Sequence, residues 1–236
     1  MPLWRSKVWG CDYINIEPEL IKNPKILLEK TFSIKNINKK NLITSLVPTQ
    51  LYRLLSTEKG IKWLKLFELI WVGGASISDK LIKISRKEKI NLAPCYGSTE
   101  TAAMVTSLKP DEFLKGNNSS GQPLKDIKLN INNKGLIEID AERIGMELLS
   151  SSILKSFKNK QGLWESSDLG EIIENKKSHY LKIIGRIDNA FNSGGETVFP
   201  DIIKLRLNKF ILKEELPILN IIISKIKDGI YYFQMA

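Results

Sequence analysis

The sequence is poor in the residues that build most metal, redox and triad sites. It has one histidine, His179, and two cysteines, Cys11 and Cys95, in 236 residues. A single histidine excludes metal centres with several histidine ligands and disfavours a histidine-dependent catalytic triad. Neither cysteine belongs to a CxxC pair, so we predict two buried or half-buried free thiols and no zinc or redox motif. We interpret His179, in the stretch SHYLKIIG, as a structural residue of a strand.

Long apolar runs are also missing. No window approaches the roughly 18 uninterrupted apolar residues of a membrane-spanning helix. The first twenty residues lack the apolar core and the small-residue cleavage site of a signal peptide. We therefore expect no membrane span and, by default, a cytoplasmic protein.

Arginine is scarce although the chain is strongly basic. The net charge is +10, yet only 6 of the 36 basic residues are arginine, and the lysines are scattered along the sequence. Arginine is the side chain best suited to reading phosphates and bases. We therefore expect no nucleic acid as a partner, although a basic nucleic-acid-binding protein remains an alternative. The sequence does not indicate an oligomeric state.

The first 115 residues alternate strand and helix patterns. Ser78 is placed as the N-cap of a helix that turns Leu81, Ile82 and Ile84 inward. Strand, helix, strand, helix, strand is typical of an α/β fold, a parallel sheet with flanking helices. The predicted strands cover residues 42–48, 66–74 and 90–97. Because ligands bind at the carboxyl ends of such strands, we expect a site where these strands end.

After residue 115 the pattern becomes antiparallel. Short strands separated by turns predict a barrel-like antiparallel subdomain. These strands are predicted over 127–131, 135–140, 169–175 and 179–185. A helix over DIIKLRLNKFI and a strand over ILNIIIS then suggest the start of a small α+β domain. We predict a large domain over 1–187, divided at residue 115, and a hinge with an incomplete small domain over 188–236.

Five consecutive residues could carry chemistry at the end of the third strand, namely Tyr96, Gly97, Ser98, Thr99 and Glu100. Glycine lets a backbone approach a ligand closely, and hydroxyl and N–H groups can hold phosphate oxygens. A carboxylate beside them can hold Mg²⁺ together with substrate phosphates. A plain strand-to-turn connection with a solvated glutamate explains the same residues. This stretch alone therefore does not distinguish a ligand site from an ordinary turn.

Two further stretches carry polar residues next to apolar strands. Asp168 follows an aromatic residue and could accept the hydroxyl groups of a ribose. Arg186 could pair with a phosphate, and Asp188 begins a link between two parts of different composition. Each stretch also fits an ordinary turn or an exposed ion pair.

Taken together and in this order, the motifs resemble those of the adenylate-forming acyl-CoA synthetase family. The resemblance covers residues 40–205. Its elements are a glycine-rich turn at Gly73-Gly74-Ala75, the tyrosine loop at 96–100, Ser167-Asp168-Leu169, Gly185-Arg186-x-Asp188, and the segment Gly194 to Pro200. The family forms an acyl-adenylate from ATP and a small-molecule carboxylate, and then a CoA thioester. The resemblance therefore implies ATP, Mg²⁺ and CoA.

The resemblance also implies a role for each matching residue of the nucleotide site. Tyr96 would stack on adenine, Thr99 would contact a phosphate, and Glu100 would hold Mg²⁺. Asp168 would bind the ribose hydroxyls, and Arg186 would contact the ribose or phosphate side of the adenylate.

Outside the nucleotide site, Asp188 would be the hinge on which the small domain rotates between the half-reactions. Two glycine-containing segments would then contact the other substrates. Ser193, Gly194 and Gly195 would lie near the CoA thiol, and Gly73, Gly74 and Ala75 would line the adenine and acyl pocket. PLWRSKVWG, SLVPTQLYRLL, IWVGGA and SGQPL resemble a branch whose substrate is an aromatic dicarboxylic acid, with Arg5 as a candidate partner for a carboxylate.

Several features of the family are not matched. We find no Ser/Thr/Gly-rich phosphate loop in residues 1–40 and no match to the catalytic lysine of the small domain. Ser167 stands where the family has glycine, and Ile202 and Lys204 stand near the positions of expected glutamates. We therefore expect this chain alone to have little or no ligase activity. The alternative is a non-catalytic remnant that binds nucleotide or acyl groups.

Overall fold

The computed structural model describes residues 2–35, 37, 41–145, 147–150, 153–175, 178–193, 196–218, 221–225 and 231–235. The chain divides into two compact units. The first contains residues 1–92 and 113–115, and the second contains residues 93–112 and 116–236.

The first unit is an α/β unit. Its two strands, β1 (Leu42–Leu46) and β2 (Phe67–Val72), pair in parallel, as the sequence predicts. A 3₁₀ helix covers Pro18–Lys22. The α-helices of this unit are α1 (Pro2–Trp9), α2 (Pro24–Phe32), α3 (Pro48–Leu55), α4 (Glu58–Leu64) and α5 (Asp79–Lys87).

A side-chain cap explains where α5 begins. The Ser78 hydroxyl accepts a hydrogen bond from the Leu81 N–H at 3.4 Å, which confirms the predicted N-cap of α5. Leu81 and Ile82 are buried as expected, but Ile84 is only half-buried. Ser85, four residues after Leu81 and therefore on the same helix face, is buried instead.

The second unit is built from antiparallel strands. β3 (Leu92–Ser98) pairs with β4 (Ala103–Ser107), which pairs with β5 (Gln122–Pro123). The short helix α6 (Pro110–Leu114) follows β4. A four-stranded sheet is formed in the order β11 (Ser178–Arg186), β10 (Trp164–Asn175), β7 (Leu136–Asp140) and β6 (Lys128–Ile131).

The remaining elements of this unit are two-stranded ladders and one helix. β8 (Glu147–Ser150) pairs with β9 (Ile153–Ser156), and β12 (Phe191–Ser193) pairs with β13 (Glu196–Val198). The helix α7 (Pro200–Lys213) follows, and β14 (Ile221–Lys225) pairs with β15 (Tyr231–Met235).

Backbone hydrogen bonds curl these strands into the half-barrel that the sequence predicts. The N–H of Ser120 donates to the carbonyl of Leu181 at 2.7 Å, and the N–H of Leu181 donates to the carbonyl of Gly121 at 2.9 Å. Gly121 is required there, because a Cβ atom would lie 1.9 Å from the carbonyl carbon of Ser107. The core between the strands contains Val105, Ile127, Ile137, Ile139, Ala141, Ile144, Trp164 and Leu181.

Some expectations fail for identifiable reasons. The β8–β9 hairpin and β4 were not anticipated, because their polar and short apolar runs carry no clear period. Cys11 is exposed, so the prediction of two buried or half-buried thiols is wrong for Cys11, whereas Cys95 is half-buried. Within the described residues, no helix is both long and apolar enough to cross a membrane.

Candidate nucleotide site

The first part of the candidate site is the hairpin between β3 and β4. Tyr96, Gly97 and Ser98 end β3, and the turn that follows contains Thr99 and Glu100. Thr99 is exposed and Glu100 is half-buried. The sequence correctly predicts a strand that ends in a polar turn. The sequence does not predict that the chain then returns as the antiparallel strand β4.

Gly97 lies where no side chain fits. A Cβ atom at this position would be 2.1 Å from the carbonyl oxygen of Ala103 and 2.6 Å from the Cα of Met104. Real Cβ atoms do not approach backbone this closely, so the glycine is a requirement of the hairpin itself. The close approach of glycine to a ligand, which the sequence suggests, is therefore not needed to explain Gly97.

Tyr96 links this hairpin to the four-stranded sheet. Its hydroxyl donates a hydrogen bond to Oδ2 of Asp168 at 2.7 Å, and its ring packs against the core of the second unit. Burial, together with the neighbouring Asp168 carboxylate, raises the pKa of Tyr96 well above its usual range. The phenol therefore stays protonated and keeps its hydrogen bond at all ordinary pH values.

Asp168 lies in β10, directly opposite Arg186 in β11. Its side chain is only 13% exposed, and its Oδ1 atom accepts a hydrogen bond from Nη1 of Arg186 at 3.1 Å. The buried Ser166 hydroxyl accepts the N–H of Asp168 at 3.1 Å. Tyr96 in β3 and Arg186 in β11 therefore hold the Asp168 carboxylate in place. Each carboxylate oxygen accepts one of these two hydrogen bonds and has a second lone pair.

Arg186 also reaches Asp188. Its Nη2 atom donates to Oδ2 of Asp188 at 2.5 Å. This hydrogen bond raises the pKa of Arg186 and lowers the pKa of Asp188. One guanidinium therefore bridges two carboxylates, and the structure brings Tyr96, Asp168, Arg186 and Asp188 together as one hydrogen-bonded group.

Sequence reasoning missed Asp201 as a member of this group. Its Oδ2 atom accepts hydrogen bonds from the backbone N–H of Arg186 and from Nδ2 of Asn189, each at 3.1 Å. Gly185 makes room for it, since a Cβ atom at Gly185 would lie 2.6 Å from the Cβ of Asp201. The signal in the sequence was Pro200-Asp201, because an acidic residue is favoured in the first turn of a helix.

The other predicted site residues are placed as follows. Gly73, Gly74 and Ala75 follow β2 in the first unit. Ser193 ends β12. Gly194 and Gly195 lie outside the described residues. The roles predicted for all of these residues stay predictions.

Two carboxylates of this site fit ligands that the resemblance implies. The second lone pairs on the Asp168 oxygens suit hydroxyl donors such as those of a ribose. No group of three or more His, Cys, Asp or Glu side chains that could hold a metal occurs in the part of the chain that the structure describes. A single carboxylate, Glu100, still fits Mg²⁺, because this ion is commonly held by one or two carboxylates plus substrate phosphates.

No family model matches the chain, but comparisons with known proteins find similar sequences and structures. The 2-succinylbenzoate–CoA ligase of Escherichia coli K12 is 33% identical over 159 residues, which are 66% of this chain and 32% of that protein. The ligase of the same name from Enterococcus faecalis is 29% identical over 168 residues, which are 67% and 34% of the two chains. The chain thus spans about a third of the length of these curated relatives.

Solved structures show the same fold. The o-succinylbenzoate CoA synthetase of Bacillus subtilis, in complex with its acyl-adenylate intermediate, matches with a TM-score of 0.69 and 18% identity, over 99% of this chain and 46% of that one. The same synthetase has been solved with ATP and a magnesium ion, and that structure matches with a TM-score of 0.65, 18% identity, and 99% and 48% coverage.

The sequence relatives are CoA ligases, which is the class of protein that the motifs of the sequence predict. In this structure an aspartate, an arginine and a tyrosine from three strands meet at one point. Among known proteins, the chain is similar to the 2-succinylbenzoate–CoA ligases.

Proposed function

We propose that this chain provides the adenylate-binding part of an ATP-dependent carboxylate–CoA ligase whose acyl substrate is o-succinylbenzoate. The observation that carries the proposal is the Asp168 carboxylate, which Tyr96 and Arg186 hold in place. Two relatives that match over 67% and 72% of this chain are 2-succinylbenzoate–CoA ligases, which supports the substrate.

The reaction has two steps. A carboxylate oxygen of the acyl substrate attacks the α-phosphorus of ATP, and pyrophosphate leaves. The CoA thiol then attacks the acyl carbonyl carbon, and AMP leaves. Mg²⁺, held by Glu100 and the phosphates, would neutralise charge on the transferring phosphoryl group.

The residues of this chain have distinct tasks in that scheme. Asp168 accepts the ribose hydroxyls, and the ring of Tyr96 lies against the adenine. Thr99 donates to a phosphate oxygen, and Arg186 contacts the ribose or phosphate side of the adenylate while it orients Asp168. Such preorganised donors and acceptors stabilise a transition state because they need not reorganise during the reaction.

Asp188 and the neighbouring glycine-containing segments belong to the second step. We propose that Asp188 is the hinge between a large domain, residues 1–187, and a small domain that begins at residue 188. Ser193, Gly194 and Gly195 would then face the CoA thiol after rotation. Gly73, Gly74 and Ala75 would line the adenine and acyl pocket.

Nucleotide binding by the purified chain tests the proposal. Isothermal titration calorimetry with AMP should show binding by the wild-type chain and a loss of about ten-fold in affinity for Asp168→Asn, since a hydrogen bond to a charged group contributes about 1.5–3 kcal/mol. Asp140→Asn is the matched control, because Asp140 pairs with the exposed Lys128 in the same sheet. A wild-type chain without AMP affinity would refute the assignment.

The acyl substrate is tested separately. Pyrophosphate release is measured with MgATP, with and without o-succinylbenzoate, before and after CoA is added. The unmatched phosphate loop and lysine predict little release by this chain alone. Strong release that depends on o-succinylbenzoate would contradict that expectation and would support the substrate. Strong release with other carboxylates only would refute the substrate.

A further inference from the structure

The turn that carries Thr99 and Glu100 is followed by a strained backbone. Ala102 has φ +52° and Ala103 has φ +137°, a region of backbone conformation that favours glycine. Each such residue costs about 1–3 kcal/mol and persists only when its surroundings hold it there. The groups that hold these two alanines are therefore groups that fix the turn.

One restraint comes from inside the turn. Thr101 is fully buried, and its Oγ1 atom accepts the N–H of Ser98 at 3.0 Å. The same hydroxyl lies 2.8 Å from the carbonyl oxygen of Ala103, to which it can donate. Thr101 thereby ties the end of β3 to the start of β4 across the turn.

A second restraint comes from residues 141–145, which follow β7. The N–H of Gly145 donates to the carbonyl of Glu100 at 2.9 Å, and Nη2 of Arg143 donates to the carbonyl of Met104 at 2.8 Å. These two carbonyls lie on either side of the strained alanines. Ile144, which is buried in the core of the second unit, anchors the segment that makes both contacts.

Arg143 is itself oriented by a carboxylate. Its Nε atom lies 3.5 Å from Oδ2 of Asp126, and its side chain is 31% exposed. The buried Nε makes no hydrogen bond within the described residues. Asp126 therefore acts on Arg143 through its charge, and the guanidinium remains directed at the Met104 carbonyl.

We propose that Arg143 is a positioning residue for Glu100, and that it acts through the Met104 carbonyl to hold the strained turn in the shape that presents Glu100 to the Mg²⁺-bearing phosphates of ATP. This inference rests on the proposed function, which makes Glu100 the Mg²⁺ ligand. Arg143 touches no substrate in this scheme. Its loss changes the geometry of the carboxylate and leaves the ribose acceptor Asp168 where it is.

That distinction sets the experiment. Adenosine has no phosphate and depends on Asp168, whereas MgATP also depends on Thr99 and Glu100 in the turn. Arg143→Ala should weaken MgATP binding by about ten-fold, because the turn loses the charge-assisted hydrogen bond that holds it. It should change adenosine binding by less than about two-fold, as expected for a site that does not share its partners. Arg143→Lys should recover part of the MgATP affinity, because an ammonium group can donate to one carbonyl.

The control is Arg206→Ala, which removes an exposed arginine on α7 in the same unit. It should leave both affinities unchanged. If adenosine and MgATP binding fall together in Arg143→Ala, the residue is merely structural and the proposal is wrong. If neither affinity changes, the proposal is also wrong.

Hydrogen exchange without nucleotide separates this inference from the proposed function. Arg143→Ala should speed exchange in a peptide covering residues 96–107 and should leave a peptide from β10 unchanged. Unchanged exchange in residues 96–107 overturns the proposal. If the wild-type chain binds neither adenosine nor MgATP, the proposed function fails and the role toward Mg²⁺ fails with it. The exchange data then still decide whether Arg143 fixes the turn.

Discussion

The hydrogen bond between Tyr96 and Asp168 makes the stability of the second unit depend on alkaline pH. Tyr96→Phe keeps the ring and removes the hydroxyl that lies 2.7 Å from Oδ2 of Asp168. A hydrogen bond to a charged acceptor contributes about 1.5–3 kcal/mol. At about pH 8, where the phenol is protonated in both the folded and the unfolded chain, the variant should lose this amount of unfolding free energy.

The pH dependence follows from the raised pKa of Tyr96 in the fold. The unfolded chain releases the phenol proton above about pH 10, whereas the folded chain still holds it. A raised folded-state pKa stabilises the fold at pH values below the unfolded-state pKa, and this stabilisation is lost as the pH rises toward the folded-state pKa. Between about pH 8 and 11, the advantage of wild type over Tyr96→Phe should shrink by about 1.4 kcal/mol.

Urea unfolding followed by far-UV circular dichroism, at about pH 8 and about pH 11, measures both quantities. Tyr52→Phe is the control, because Tyr52 is exposed on α3 and should show no difference at either pH. Each variant differs from wild type only by one phenol hydroxyl, so differences between chains isolate that phenol. Parallel pH profiles for wild type and Tyr96→Phe, or equal stability at about pH 8, would refute the reasoning.

Two further substitutions test the packing. Gly97→Ala should lower the unfolding free energy by about 3 kcal/mol, which is the upper end of the cost of overpacking. The reason is that the added Cβ would lie 2.1 Å from the Ala103 carbonyl oxygen. A melting temperature within error of that of wild type would contradict this prediction. Ser85→Ala should raise the unfolding free energy by about 1 kcal/mol, because the buried Ser85 hydroxyl has no hydrogen-bond partner among the described residues. The variant should therefore unfold at a higher urea concentration than wild type. A lower midpoint would contradict the prediction.

The sequence predicts a strand correctly where an apolar run is followed by a residue that ends strands. Pro48 follows β1, and Gly73-Gly74 follows β2. The β3–β4 hairpin was not found, because its turn depends on positive φ angles at Ala102 and Ala103, which alanine seldom adopts.

The sequence marks Tyr96, Asp168 and Arg186 by their chemistry and motifs, and the structure brings these three side chains together. Asp201 and Arg143 were not predicted, because their contacts depend on which backbone groups the fold brings to them. Asp201 accepts an N–H from Arg186, and Arg143 donates to the carbonyl of Met104. Contacts between residues that are far apart in the sequence produce no local periodicity or motif spacing from which they could be predicted.

The tight contact at Gly97 changes what sequence drift in this lineage would reveal. Purifying selection on Gly97 needs only a folded hairpin, because any side chain there meets the Ala103 carbonyl. Thr99 is exposed, and its side chain is under no comparable packing constraint, so under the proposed function only phosphate binding would preserve it. In relatives without that function, position 99 should diverge before position 97, and the residue of the motif that persists longest would carry the least information about function.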